Sequence, residues 1–224
     1  MINGILNVYK EAGYTSHDVV AKLRGICRQK KIGHTGTLDP DAVGVLPVCL
    51  GNATRLCDML TDKSKEYEAV LLLGKVTDTQ DISGKVLEEH PVLMEEEQAV
   101  EAVLSFLGSY EQIPPMYSAL KVNGKKLYEL ARAGKEVERA GRPVEIHRID
   151  ILSVALPEIT FRVACSKGTY IRTLCHDIGR KLGCGGCMES LLRTRVDRFK
   201  LEDSLTLSQI EKLRDEGRVE EYVV

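Results

Sequence analysis

With 224 residues, 43% of them hydrophobic, the chain can bury a core as one large domain or as one domain with an insertion. Met1-Ile2-Asn3-Gly4 carries no basic leader and no apolar run approaches a membrane span, so neither a signal peptide nor a transmembrane helix is expected, and the protein reads as soluble and cytoplasmic. Seven cysteines, an odd number set mostly among apolar residues, argue for reduced core thiols and against a disulfide framework, and the net charge of −2 argues at first against a nucleic-acid protein.

In chain order, Ser16 caps a helix whose apolar positions Val19, Val20, Leu23, Ile26 and Cys27 share one face, and which ends before Gly33. Lys65 to Gly74 reads as a strand, buried on both faces at its far end. Glu95 to Leu107 reads as a helix stopped by Gly108. Residues 112–143, basic, aromatic and started by prolines, are the least core-like region and suit an RNA-gripping insertion. Val144 to Leu156 and Glu158 to Ser166 read as strands joined at Pro157, and Thr169 to Leu182 as a helix closed by Gly183. Cys184-Gly185-Gly186-Cys187 lacks the second close-spaced pair of a zinc site and is taken as a Gly-rich turn, with no metal expected. A last helix covers about Leu207 to Glu216. Helices and strands mix without βαβ alternation, which predicts an α+β fold with a largely antiparallel mixed sheet flanked by helices.

The charges are segregated. Residues 1–31 carry six Lys/Arg against two acids, residues 121–148 eight against four, and residues 162–200 nine against three, while acid gathers between Glu88 and Glu101 and after Glu202. A weakly acidic protein can present a basic, phosphate-binding face in this way, unless the clusters scatter over the folded surface.

The most informative stretch runs from Gly33 to Arg55. Gly33-His34-Thr35-Gly36-Thr37-Leu38-Asp39-Pro40 precedes an apolar run, Val43 to Leu50, that would anchor it. Pro40 pushes Asp39 toward an extended backbone, so the carboxylate is presented on a loop. On the residues alone this is either a catalytic loop or a plain Asp-Pro turn. The run closely resembles the catalytic motif of the TruB family of tRNA pseudouridine synthases, whose G-H-T-G-x-L-D-P aspartate is the essential residue.

Four further patches resemble the same family in the same order: Lys65-Glu66-Tyr67, the block from Thr77 to Gly84, the block from Ser166 to Arg172, and Leu191-Leu192-Arg193-Thr194; Pro114 to Lys121 resembles the family's insertion. Without the family, Tyr67 is an ordinary strand aromatic, Asp81 a turn former and Arg172 a surface helix residue. With it, the resemblance implies a pseudouridine synthase fold and isomerisation of the T-loop uridine of tRNA, position 55, without metal or cofactor. Asp39 is implied as the catalytic carboxylate, Arg172 as the cation pairing with it, and Tyr67 as the ring against the uracil, assisting proton removal at C5. His34 would fill the gap left by the flipped base, unless it only caps its own loop. Lys10, Asp81, Tyr170, Lys121, Lys125, Lys126, Arg132 and Leu191 complete the implied RNA contacts.

Two departures stand out. Lys10 is followed by Glu11 where family members commonly have proline, and the chain ends at Val224 where many bacterial relatives continue into a PUA-type domain. The expected organisation is therefore a single catalytic domain over residues 1–224, carrying the insertion at 112–143 and no PUA domain. Its expected partner is the tRNA T-arm, bound as a monomer without membrane or guide RNA. An RNA-folding chaperone and the guide-dependent branch related to dyskerin are the other classes the sequence admits.

Overall fold

The computed structural model describes residues 1–122 and 124–224. They form two compact units, Met1–Glu68 with Leu191–Val224, and Ala69–Ser190.

The first unit opens with strand β1 (Gly4–Lys10), helix α1 (Ser16–Ile26), strands β2 (Ile32–His34) and β3 (Val43–Leu50) and the short helix α2 (Cys57–Thr61). β1 runs antiparallel to β3 from Gly4 opposite Leu50 to Lys10 opposite Gly44, and β2 pairs antiparallel with the far end of β3. Leu6, Val8, Leu46 and Val48 pack against Val19, Val20, Leu23 and Ile26 of α1, whereas Ile5, Val45 and Cys49 join a second cluster with Leu60. Burial on both faces explains the unbroken apolar run of β3. The cap of α1 is Thr15 and not Ser16: its Oγ1 accepts the Asp18 N–H at 3.0 Å while the Asp18 carboxylate accepts the Thr15 N–H at 2.8 Å. Ser16 is turned inward and fully buried.

Strand β4 (Lys65–Leu73) carries the chain into the second unit, which continues with β5 (Lys75–Thr77), β6 (Val86–Glu89), α3 (Glu96–Leu104) and β7 (Gly108–Gln112). β8 (Lys121–Val122), β9 (Lys125–Lys126), α4 (Leu127–Arg132), β10 (Arg142–Ala155), β11 (Glu158–Cys165), α5 (Ile171–Leu182) and the first residues of β12 (Gly186–Val196) follow. The strands lie in the order β4-β11-β10-β7, with β10 antiparallel to both neighbours. β5 with β6, and β8 with β9, form separate two-stranded ribbons. Past residue 190 the chain is again in the first unit: β12 pairs parallel with β3, Arg193 opposite Gly44, and is followed by β13 (Phe199–Lys200) and α6 (Leu207–Asp215). This is the α+β mixture with mainly antiparallel pairing that the sequence predicts.

Several expectations need correction. α3 ends at Leu104, because the Ser105 hydroxyl bonds back to the Ala102 carbonyl and the next two amides make tighter i→i−3 bonds; Gly108 instead opens β7. β4 alternates buried and half-buried residues to its end, so only one face is closed. α5 starts at Ile171, not Thr169, whose hydroxyl is bonded to the Ser166 carbonyl. β12 is not predicted by its hydrophobic pattern, which Glu189, Arg193 and Arg195 interrupt. Within 112–143, Gln112, Pro114, Pro115, Ser118 and Leu127 are buried, so the root of this segment is packed while its ribbon is largely exposed. No helix among the described residues is long and apolar enough to cross a membrane.

Candidate active site

In the first unit, Asp39 lies on the loop between β2 and β3, half-buried, and the backbone on both sides of it is fastened. Upstream, Thr35 is fully buried and donates its N–H and its hydroxyl to the Pro47 carbonyl, each at 3.1 Å. Next to Asp39, the Leu38 N–H donates to the Ser16 hydroxyl at 2.9 Å. Downstream, the Lys10 ammonium donates to the carbonyls of Pro40 at 2.9 Å, Ala42 at 2.6 Å and Glu11 at 3.1 Å. The Ala42 N–H closes the turn on the Asp39 carbonyl at 3.2 Å. Such a loop holds its carboxylate in one place, which is what positioned catalysis requires.

Lys10, expected among the RNA contacts, is 0% exposed, with two of its donors bonded to the loop and the third to the carbonyl of its own neighbour Glu11. Burial pulls its pKa down to about 8, against the opposing pull of the Asp41 and Asp39 charges. Above that pH the neutral amine keeps two donors for three carbonyls and one positive charge leaves the loop. Turnover is accordingly expected to fall as pH rises through about 8. A single-turnover pH profile checks this, and a rate that stayed level well above pH 8 would remove Lys10 from the loop's support.

Arg193 on β12 is 1% exposed and donates Nε–H to the Val45 carbonyl at 2.7 Å. His34 stands on β2 with its ring edge-on to His17, centroids 5.3 Å apart at 76°. Burial first, and then repulsion from His17, lowers the His34 pKa and favours the neutral ring, while its Nδ1 is buried without a hydrogen-bond partner among the described residues. Tyr67 on β4 is 7% exposed, and Leu191 on β12 is buried.

The second unit contains Arg172, in the first turn of α5 and 5% exposed, not on the surface as its helical position without the family predicts. Its Nη1 donates to the Thr79 carbonyl at 2.9 Å and its Nη2 to the Tyr117 carbonyl at 2.8 Å, and its Nε lies 3.7 Å from the Asp81 carboxylate. Asp81 also accepts from the Thr79 hydroxyl at 2.8 Å and the Ser83 N–H at 3.0 Å, so it both shapes the turn and faces the arginine. The Tyr170 N–H donates to the Gln112 side chain at 2.7 Å. Lys121, Lys125 and Arg132 are exposed on the β8–β9 ribbon and α4 and Lys126 is half-buried; Lys126 and Arg132 lie 5.3 and 5.4 Å from the Tyr128 ring.

The structure thus groups Lys10 with the Asp39 loop in the first unit, and Arg172, Asp81 and Tyr170 with their supports in the second. Ser16, His17 and Gln112 were missed as supports. A buried polar residue leaves no periodic signal in a sequence, and only its partners reveal why it is there. Among the described residues no group of three or more His, Cys, Asp or Glu side chains is arranged to hold a metal ion.

Residues 24–171 match the TruB family pseudouridylate synthase N-terminal domain, and residues 172–223 match the tRNA pseudouridylate synthase B C-terminal domain. The chain is 60% identical over 219 residues to tRNA pseudouridine synthase B of Lachnoclostridium phytofermentans, covering 94% of this chain and 71% of that protein. It is 53% identical over 214 residues to the protein of the same name from Alkaliphilus oremlandii, covering 96% and 72%. Among solved structures it is similar to a chain of a Cbf5-Nop10-Gar1 complex, with 34% identity and a TM-score of 0.77, and to a chain of an archaeal box H/ACA sRNP Nop10-Cbf5 complex, with 32% and 0.73. Each alignment takes in 98% of this chain, which spans 57% of the length of those two structural relatives.

Proposed function

This chain belongs to the TruB family of pseudouridylate synthases, and from that membership we propose that it isomerises the T-loop uridine of tRNA, position 55, to pseudouridine. The observation that carries the reading to this chain's own residues is the loop of Asp39, pinned by Ser16 on one side and by the buried Lys10 on the other.

The reaction breaks N1–C1′, turns the uracil, joins C5 to C1′ and releases the C5 proton to solvent. It is a balanced isomerisation with no net oxidation. In this reading Asp39 is the catalytic carboxylate and Arg172 the cation that keeps it ionised. Tyr67 lies against the uracil, and His34 occupies the space of the extruded base, whose unstacking costs a few kcal/mol. The reading includes action as a monomer in the cytoplasm, on the T-arm, without guide RNA.

Incubating the protein alone with an unmodified T-arm stem-loop and mapping pseudouridine tests this. We expect modification of the T-loop uridine with EDTA present and no other RNA added. A requirement for a guide RNA would move the protein to the guide-dependent class; binding that changes tRNA folding without any isomerisation would leave a chaperone.

Lys121, Lys125, Lys126 and Arg132 are proposed to grip RNA phosphates. Replacing all four with alanine is expected to weaken binding and to flatten its log–log salt dependence by roughly 0.7–0.9 per lost phosphate contact. Filter binding over a salt series reads both effects. An unchanged slope would shift the grip to the basic residues between 162 and 200.

A further inference from the structure

Gln112 ends β7 and is 1% exposed, the burial of a core leucine on a side chain with two N–H donors and two acceptor lone pairs. Its Oε1 accepts the Tyr170 N–H at 2.7 Å, and its Nε2 donates to the Tyr170 carbonyl at 3.1 Å and to the Tyr110 hydroxyl. The side-chain amide thereby pairs with both backbone groups of one residue, as a neighbouring strand would. Tyr170 is the N-cap of α5, has no side-chain cap of its own, and stands two residues before Arg172.

The same segment returns to α5 a second time. The Tyr117 carbonyl, five residues after Gln112, accepts the Arg172 Nη2–H at 2.8 Å. Between the two ties lie Pro114 and Pro115, both buried, whose rings fix φ and stiffen the strap. Beyond Tyr117 the chain runs directly into the ribbon bearing Lys121, Lys125 and Lys126.

We propose that Gln112 is a positioning residue for Arg172: by clamping the Tyr170 peptide it fixes the start of α5, and with the Tyr117 tie it joins the root of the RNA-gripping segment to the arginine. This rests on the proposed part of Arg172 in the isomerisation. The choice of glutamine follows from the geometry. Glutamate would lose both donors and set a carboxylate against the Tyr170 carbonyl, and asparagine is one methylene too short to reach the same peptide.

The test is a double-mutant cycle in the single-turnover rate on a T-arm stem-loop, with Gln112→Ala, Arg172→Ala and the double variant. Gln112→Ala is expected to slow the reaction about 10–100-fold, the size of effect seen when the hydrogen-bond partner that orients a metal ligand is removed. RNA affinity should stay within about twofold, and the change should have little further effect once Arg172 is already alanine. Independent of turnover, the Tyr170 amide should exchange faster and the Arg172 Nε–H resonance should move in Gln112→Ala. If that variant fails to fold, Gln112→Asn, which keeps the amide but withdraws it, carries the same cycle. Additive rate losses, or an Arg172 resonance and Tyr170 exchange that do not change, would overturn the proposal. A wild-type protein without turnover would instead end the functional reading, leaving the two spectroscopic measurements to decide the role of Gln112.

Discussion

Asp39→Asn is expected to lower turnover by about 10⁴-fold, the scale on which an essential group of a catalytic unit is lost, while RNA affinity stays within about threefold. The substitution keeps the shape of the side chain and removes its charge and basicity. The bonds described above that hold the loop run through backbone groups: Ser16 and Lys10 act on Leu38, Pro40 and Ala42, and the closing bond is to the Asp39 carbonyl. Asparagine leaves these backbone bonds in place, so the loop should stay pinned and the lost rate should report the loss of the charged carboxylate. Affinity should persist because phosphate contacts dominate binding to RNA and lie on other residues. Tritium release from uracil C5 in a single turnover, measured beside filter binding, separates the two quantities. A near-normal rate in Asp39→Asn would remove the aspartate from the mechanism, and a parallel collapse of binding would reassign it to RNA contact.

The second large effect is on stability. Gly44→Ala is expected to cost about 3 kcal/mol or more, lowering Tm by about 6–12 °C for a chain of this size. Gly44 has φ of +107°, and a Cβ there would lie 2.3 Å from the Arg193 carbonyl oxygen and 3.0 Å from the Arg193 nitrogen. Both are backbone atoms of the paired strand, so they yield only if β12 moves off β3 and Arg193 loses its bond to Val45. Gly13→Ala separates strain from clash: Gly13 also has positive φ, +84°, but nothing lies within 4 Å of its added Cβ. It should cost only about 1 kcal/mol, the backbone term. Thermal melts followed by circular dichroism compare them, and equal losses would mean that strain rather than the close β3–β12 approach decides both.

A periodic or local signal survives in the sequence. α1, β10, β11 and α6 lie within about two residues of their expected ranges, because an apolar stripe or an alternation repeats over a whole element and a single odd residue does not erase it. β12 escaped for the opposite reason. Arg193 occupies an inward position, which the hydrophobic pattern scores as a break, and it is tolerated there because its Nε finds the Val45 carbonyl. The end of α3 was misplaced because Ser105 terminates it through its own hydroxyl, a signal weaker to the eye than the glycine at position 108.

The aspartate loop, the α+β mixture and the family were legible in the order of residues alone, since the motif is contiguous and the further patches follow it in one order along the chain. The sequence by itself determined that Asp39 would stand on a loop ahead of an apolar strand, and that Lys121, Lys125 and Arg132 would sit on an exposed basic segment. Only the tertiary structure decided that Lys10 turns away from solvent to hold the loop, that Arg172 is buried against Asp81 and the Thr79 and Tyr117 carbonyls, and that Gln112 clamps Tyr170. The bonds between Gln112 and Tyr170 span 58 residues of chain, and the one from Arg172 to Thr79 spans 93. A side chain's partner at such separation is set by how strands and helices pack, and burial of a polar group is affordable only where that packing delivers a donor or acceptor to meet it.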